Sequence, residues 1–185
     1  MLNKFFIPLF FSVCIFLDLH ADNKQLIINQ LINTDNITFD FEQTTNNKKE
    51  FGTCVLVFDN KLNCDYVDSM QKRILINDQM LVVQQKRYNK IYFYPLSKSS
   101  FVKIFNKDNL IGLIKKSDYK LNNDIELSFI NSEKEETVLF FERDNYNFIG
   151  WKTIDQLQNM INFSIKIKYI NTNINSKIFK IPSIN

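Results

Sequence analysis

The sequence FDFEQTTNNKKEFGTCVLVFDNKLNCDYV, residues 39–67, decides the fold that we predict for this chain. It contains three runs in which apolar and polar side chains alternate, a pattern typical of β-strands with one buried face. The first run starts at Ile37 and carries Phe39 and Phe41 on one side. We therefore predict that these three runs form an antiparallel sheet with one apolar face.

The turn between the second and third runs determines which of their residues face each other. A turn at Phe58-Asp59-Asn60 places Leu56 opposite Leu62 and Cys54 opposite Cys64. Side chains of opposite residues point the same way, with Cβ atoms about 4.5–5.5 Å apart. A disulfide spans Cα separations of roughly 4.4–6.8 Å. We predict a Cys54–Cys64 disulfide on the apolar face; the alternative is two separate buried thiols.

The N-terminal residues have the composition of a secretory signal peptide. Lys4 precedes an apolar run from Phe5 to Leu17, and Leu19-His20-Ala21 ends in a small residue that suits cleavage after Ala21. The run is shorter than the ~20 residues that cross a membrane, and an uncleaved anchor is the alternative. We predict a signal peptide over residues 1–21 and a single domain over residues 22–185. The exported domain keeps an even number of cysteines, which favours the disulfide.

The remaining sequence predicts a mainly β protein with a few α-helices. Helical spacing indicates a helix from Asp22 to Thr34 and a short helical pair within residues 99–116. About ten strands are expected, ending with a long one at 160–170 and a short one at 178–181. Strands with one apolar face and one polar face favour a curved sheet whose polar face is exposed to water. The apolar face has to be covered, but three helices are too few to form a complete second layer over it. We predict a half-open antiparallel β-barrel, a strongly curved sheet, with a helical lid over a hydrophobic cavity.

The residues left after signal removal exclude most catalytic chemistry. No histidine is left to act as a base or a metal ligand, because His20 leaves with the signal peptide. Gly52, Gly112 and Gly150 stand alone, so no phosphate-binding loop is expected. A net charge of +3 is too small to indicate nucleic-acid binding. We expect no enzyme activity, cofactor or metal, with a hydrolase built only on carboxylates as the alternative, and we expect binding by an apolar surface.

Several short motifs resemble the LolA family, the periplasmic carriers of outer-membrane lipoproteins. Phe39-Asp40-Phe41-Glu42-Gln43 is similar to the early F-x-x-F-x-Q strand of that family, and Gly52-Thr53 is similar to the start of its next strand. The segment Ile178-Phe179-Lys180-Ile181-Pro182 is similar to its F-x-F-x-x-P close. The family often has Arg-Pro after the glycine strand, and that arginine holds the lid closed. Phe58 and Asp59 occupy the matching places, so the latch is missing or rebuilt here.

The resemblance implies a function in the periplasm of a Gram-negative bacterium. A monomeric carrier without a cofactor would take the acyl chains of lipoproteins from an inner-membrane ABC transporter that releases them. It would deliver these outer-membrane lipoproteins to an outer-membrane acceptor. The alternatives are a binder of another lipid or apolar ligand, and a structural or adaptor protein whose apolar face is filled by its own side chains. The candidate cavity residues are Phe39, Phe41, Leu56, Leu62, Tyr66 and Phe163, and the candidate lid residues are Phe101, Ile104 and Phe105.

Overall fold

A computed structural model describes residues 19–58, 60–77, 80–96, 104–130, 136–154 and 158–182. The predicted lid residue Phe101 and most of the predicted signal peptide lie outside these ranges. The described residues form two α-helices, α1 (Leu19–Ile32) and α2 (Lys107–Lys116). The strands are β1 (Asn36–Thr45), β2 (Lys48–Val57), β3 (Lys61–Tyr66), β4 (Lys72–Asn77), β5 (Met80–Gln85), β6 (Lys90–Pro95), β7 (Asp118–Leu121), β8 (Ile125–Ile130), β9 (Glu136–Phe141), β10 (Phe148–Ile154) and β11 (Met160–Ile170).

The strands form one antiparallel sheet in the order β6-β5-β4-β3-β2-β1-β11-β10-β9-β8-β7. Because β1 pairs with β2 on one side and with β11 on the other, the first and last strands meet in the centre. Strands β6 and β7 are the edges, and the sheet does not close on itself. The prediction of an open, curved antiparallel sheet with a helical lid is confirmed.

The register of the β2–β3 hairpin follows the prediction from its turn. Leu56 faces Leu62, and Cys54 faces Cys64. The predicted disulfide is present, with a Cα–Cα separation of 4.1 Å, close to the spacing of a pair without hydrogen bonds in an antiparallel ladder. Both cysteines are buried. The disulfide therefore connects two neighbouring strands on the face that carries Phe39, which we call the concave face.

The two helices pack against each other and contribute buried side chains to the hydrophobic core of the concave face. Helix α1 buries Ile27, Ile28 and Leu31, and α2 buries Leu110 and Ile114. In the described part of the chain, neither helix is long and apolar enough to span a membrane.

Helix α2 is the second member of the predicted helical pair, and Asn106 caps its N-terminus. The side-chain oxygen of Asn106 accepts a hydrogen bond from the backbone N–H of Asn109, which satisfies a free donor of the first turn. The first member is described only at residues 104–105, which lie in a 3-10 turn.

The end of β11 departs from the predicted alternation. Its pairing with β1 shifts between Thr38 and Phe39, so Tyr169 faces Thr38 and Ile170 takes the place opposite Ile37. The alternation of Phe163, Ile165 and Ile167 in the sequence predicts that Tyr169 continues the apolar face, and this prediction is wrong, because Tyr169 is 60% exposed. Ile170 packs against the core instead. A bulge of one residue exchanges the faces beyond it, which a strict two-residue period does not reveal.

The predicted terminal strand at residues 178–181 is also wrong, since a 3-10 turn spans Ser176–Phe179. This turn packs against the outer, convex face of β3 and β4. The side-chain amides of Asn63 and Asn77 each donate to one of its carbonyl oxygens at 3.1 Å. These side chains supply the hydrogen-bond donors that a neighbouring strand would otherwise provide. The two carbonyl groups are therefore satisfied although the segment does not join the sheet.

Candidate functional site

A continuous row of aromatic side chains crosses the concave face. Phe41 in β1 stacks on Phe163 in β11 with ring centroids 5.0 Å apart, and Phe163 stacks on Trp151 in β10 at 4.0 Å. The row continues from Phe41 to Tyr66 in β3, edge to face at 4.8 Å, and from Trp151 to Phe148 at 6.1 Å. We call these five residues the aromatic row. Five strands contribute to this surface or border it, so it spans the middle of the sheet.

The structure brings all six predicted cavity residues together on the concave face. Tyr66 is half-buried, and it packs against the hydrophobic core that the others form. The fully buried members are Phe39, Phe41, Leu56, Leu62 and Phe163. Contact between these residues and a ligand stays a prediction.

Two of the three predicted lid residues lie within the described chain, and both are buried in the core of the concave face. Ile104 and Phe105 are 6% and 3% exposed. The ring of Phe105 lies edge to face on Trp151 with centroids 6.0 Å apart. The segment that leads into α2 therefore covers the middle of the row.

Sequence reasoning missed the importance of Trp151 and Phe148. Trp151 is 1% exposed and stacks between Phe163 and Phe148, but it is not among the cavity residues that the sequence predicted. The two residues are three positions apart, so simple alternation places them on opposite faces. A register shift between Phe148 and Gly150 turns both inward. The glycine beside the tryptophan was the available signal, because glycine inside a strand often marks a bulge.

Gly52 makes room for the Phe41 ring. It is the partner of Phe41 across the β1–β2 pair. A Cβ atom at this position would lie 2.6 Å from the ring atom Cε1 of Phe41 and 2.3 Å from the backbone oxygen of Asp65. Real Cβ contacts are essentially never this short, so only glycine fits here. The missing side chain allows Phe41 to contact Tyr66.

A polar cluster lies beside Tyr66, on the same concave face. The Nζ atom of Lys72 lies 2.8 Å from Oε1 of Glu50, and the two side chains are only 20% and 17% exposed. Lys72 Nζ also lies 3.7 Å from the centroid of the Tyr66 ring. The Tyr66 hydroxyl donates to Oε1 of Gln43 at 3.3 Å. We call Gln43, Glu50, Tyr66 and Lys72 the polar cluster.

The surroundings fix the charges within this cluster. Burial is the largest single effect and favours the neutral acid of Glu50, but the hydrogen bonds and positive charges of Lys72 and Lys48 together outweigh it and hold the pKa of the carboxyl below its usual value. Burial raises the pKa of the Tyr66 hydroxyl, and the negative charges of Glu50 and Asp68 raise it further. At neutral pH the cluster thus presents an ion pair beside a neutral phenol.

Lys107 occupies the region where the family resemblance implies an arginine latch. Its ammonium lies 5.4 Å from the ring centroid of the buried Phe58, which stands in the arginine's place. The same group donates to the backbone oxygen of Ile32 at 3.3 Å and lies 3.8 Å from a carboxylate oxygen of Asp35. Lys107 therefore ties the first turn of α2 to the end of α1 and to the sheet.

We expect Lys107→Met to loosen α2 without unfolding the sheet. The ion pair with the exposed Asp35 contributes little, so the effect comes from the carbonyl hydrogen bond and the ring contact, about 1 kcal/mol together. Hydrogen–deuterium exchange of α2 amides should then become about five-fold faster, while β11 exchange stays unchanged. The control is Lys115→Met in the exposed last turn of α2. Equal α2 exchange in both variants would contradict this role for Lys107.

A polar cleft of about 620 Å³ opens between the β7–β8 turn and the β9–β10 turn. None of its lining residues belongs to the aromatic row, and its walls suit a polar rather than an apolar molecule. The cleft is lined by Asn123, Asp124, Glu142, Arg143, Asp144 and Asn145.

In the ranges that the structure describes, no three His, Cys, Asp or Glu side chains converge on a possible metal position.

No family model and no curated protein matches the sequence, but solved structures resemble the fold. An uncharacterized conserved protein from Thermus thermophilus aligns with a TM-score of 0.53 at 6% identity, over 88% of this chain and 94% of that one. The lipoprotein LppX from Mycobacterium tuberculosis aligns with a TM-score of 0.51 at 8% identity, over 85% and 97%. The LolA superfamily protein NE2245 from Nitrosomonas europaea has a TM-score of 0.46 at 10% identity, over 87% and 97%.

The chain shares its fold with the Thermus thermophilus protein and with LppX. Identities this low establish the fold alone, so the ligand has to be argued from the concave face. That face carries the aromatic row beneath the helices and the polar cluster beside Tyr66.

Proposed function

We propose that this protein binds acyl chains on its concave face and carries lipoproteins through the periplasm. The aromatic row is the observation that supports this most directly, because it offers a continuous apolar surface on an open sheet covered by helices. Burial of an acyl chain contributes about 0.8 kcal/mol per CH₂ group. A lipoprotein with several chains would not cross water unaided, and a carrier has to cover those chains.

The helical cover provides a means of exchange between the carrier's own side chains and a ligand. Phe105 packs on Trp151, and a chain that enters between sheet and helices would displace this contact. Acyl methylenes then replace the ring of Phe105 on the row, so uptake exposes little additional apolar surface to water. Release restores the contact. An equilibrium between covered and open arrangements, shifted by the ligand, suits a protein that must both bind and release.

In this proposal the first 21 residues direct export and are removed. The protein acts as a monomer that receives a lipoprotein from an inner-membrane ABC transporter and delivers it to an outer-membrane acceptor. Transport of this kind needs no covalent step, so the carrier requires no catalytic residue, cofactor or metal.

The test uses the oxidised protein beginning at Asp22. It is added to proteoliposomes that contain the lipoprotein-releasing transporter of its own organism, a lipoprotein and ATP. We expect the lipoprotein to appear in a soluble one-to-one complex. If an active transporter releases nothing to the folded protein, binding of a simple oleoyl lipid decides between the alternatives. Binding would indicate a carrier of another lipid, and no binding would indicate a filled, structural core.

Two adjacent residues of β8 provide a matched pair for this assay. Phe129 packs against the core on the concave face, whereas Ile130 points the other way and is 73% exposed. We expect Phe129→Glu to lower the yield of released lipoprotein about ten-fold, because ligand binding would have to desolvate the new charge. Ile130→Glu should change the yield less than about two-fold. Thermal unfolding checks that both variants are folded, and equal yields would argue against the concave face as the binding surface.

A further inference from the structure

The polar cluster and the aromatic row meet at one residue. Tyr66 is the end of the aromatic row, where its ring contacts Phe41, and the ammonium of Lys72 lies 3.7 Å from the centroid of the same ring. Glu50 and Lys72 are mostly buried although they are charged. Half-buried ion pairs gain little stability, since desolvation offsets much of their attraction. A charged pair at the margin of an apolar binding surface therefore calls for a reason other than stability.

We propose that the polar cluster binds the anionic headgroup of an amphiphilic ligand whose acyl chain lies on the aromatic row. The inference rests on the proposed function, because it assigns the headgroup end of the same ligand. Lys72 is the principal binding group. Its ammonium has three N–H donors, of which one is directed at Glu50, and its position is fixed by the ion pair and by the ring of Tyr66.

The charges around Lys72 favour an anion. Lys48 also contacts Glu50, with Nζ 3.4 Å from the same carboxylate oxygen. Lys90 lies on the concave face two strands away from Lys72. One residue of β5 pairs with Lys72 on one side and with Lys90 on the other, so the two lysines point to the same face. Asp68 is the second carboxylate here, and it accepts the backbone N–H of Lys72. These named groups carry a net positive charge, which one headgroup anion would neutralise.

The geometry also predicts that Glu50 and Lys72 act in opposite directions. A headgroup anion at Lys72 would lie close to the Glu50 carboxylate, which competes for the same ammonium and repels the ligand. Removal of the lysine charge should weaken anion binding, and removal of the glutamate charge should strengthen it. A purely structural ion pair would give no gain from the second change.

The probes are three molecules with one oleoyl chain each: oleate, 1-oleoyl lysophosphatidate and the uncharged 1-oleoylglycerol. Trp151 is the only tryptophan and lies within the row, so its fluorescence reports chain binding. We expect the wild type to bind at least one anionic probe about ten-fold more tightly than the glycerol ester, as one charge-assisted hydrogen bond provides. Comparison of oleate with lysophosphatidate shows whether a carboxylate or a phosphate fits better.

The variants separate headgroup binding from folding. Lys72→Met should reduce the preference for the anionic probe to less than about two-fold, and Lys72→Arg should keep most of it. Glu50→Gln should tighten anion binding about three-fold. Lys86→Met is the matched control. Lys86 forms a similar ion pair, with Nζ 2.7 Å from a carboxylate oxygen of Asp65, and neither residue belongs to the polar cluster. Circular dichroism melts confirm that each variant is folded.

Each outcome is decisive. Equal wild-type affinity for charged and uncharged probes, equal losses in Lys72→Met for both, or weaker anion binding in Glu50→Gln would overturn the headgroup site and leave acyl binding intact. Failure of all three probes to bind would overturn the proposed function together with this inference.

Discussion

Gly52→Ala is expected to lower the free energy of unfolding by about 3 kcal/mol, a large effect for a single methyl group. The new Cβ would lie 2.3 Å from the backbone oxygen of Asp65 and 2.6 Å from the ring of Phe41. The oxygen belongs to the part of β3 that pairs with β2, and the Phe41 ring is stacked on Phe163. Neither can move without disturbing the sheet or the aromatic row. Urea denaturation followed by circular dichroism measures the change.

Gly112→Ala provides the control of opposite sign. Gly112 lies within α2, and a Cβ there meets nothing within 4 Å. Alanine should therefore stabilise the protein by about 0.5–1 kcal/mol, because glycine is a poor helix former. A loss below about 1 kcal/mol for Gly52→Ala would contradict the close approach of Phe41 that we describe.

The second large effect is expected from removal of the disulfide by Cys54→Ala with Cys64→Ala. The bond closes a loop with a sequence separation of 10, for which the chain-entropy estimate is about 3 kcal/mol. Both sulfur atoms are buried in the core, so their loss also removes packing. The midpoint of thermal unfolding should fall by about 6–12 °C at this chain length.

A reducing agent offers an independent measurement of the same bond. Dithiothreitol should lower the unfolding midpoint of the wild type and leave the double alanine variant unchanged. Thiol titration in denaturant should find no free cysteine in oxidised protein that begins at Asp22. Two reactive thiols in that sample, together with no response to dithiothreitol, would refute the disulfide.

The sequence predicts best where short-range rules apply. The β2–β3 register follows from one turn, because a two-residue period leaves few other ways to place Leu56, Cys54 and their partners on one face. The bounds of β11 agree with the predicted 160–170. In each case an alternating run ends at turn residues, so local chemistry determines both ends.

The sequence predicts less well where two distant strands must be combined. The stack of Trp151 on Phe163 depends on the β10–β11 register and on the bulge before Gly150, and neither follows from one strand alone. The Glu50–Lys72 pair likewise joins β2 and β4, which are separated by a whole strand in the sheet. Such contacts arise from tertiary structure, so the alternation identified the face but not the neighbours.

The central pairing of β1 with β11 has a consequence for how the molecule acquires its structure. Strand β1 can complete its pairing only after β11 has been synthesised. Every other neighbouring pair in the sheet is formed by strands that are consecutive in the chain. A ribosome or an export channel delivers the N-terminal end first. The hairpins among β1 to β6, and later those among β7 to β11, can therefore form before β1 and β11 pair at the seam between the two halves of the sheet. Contacts across so long a sequence separation form slowly. The chain should remain accessible to holding chaperones and to proteases until its last strand arrives, and completion of the seam should be the step that ends this exposure.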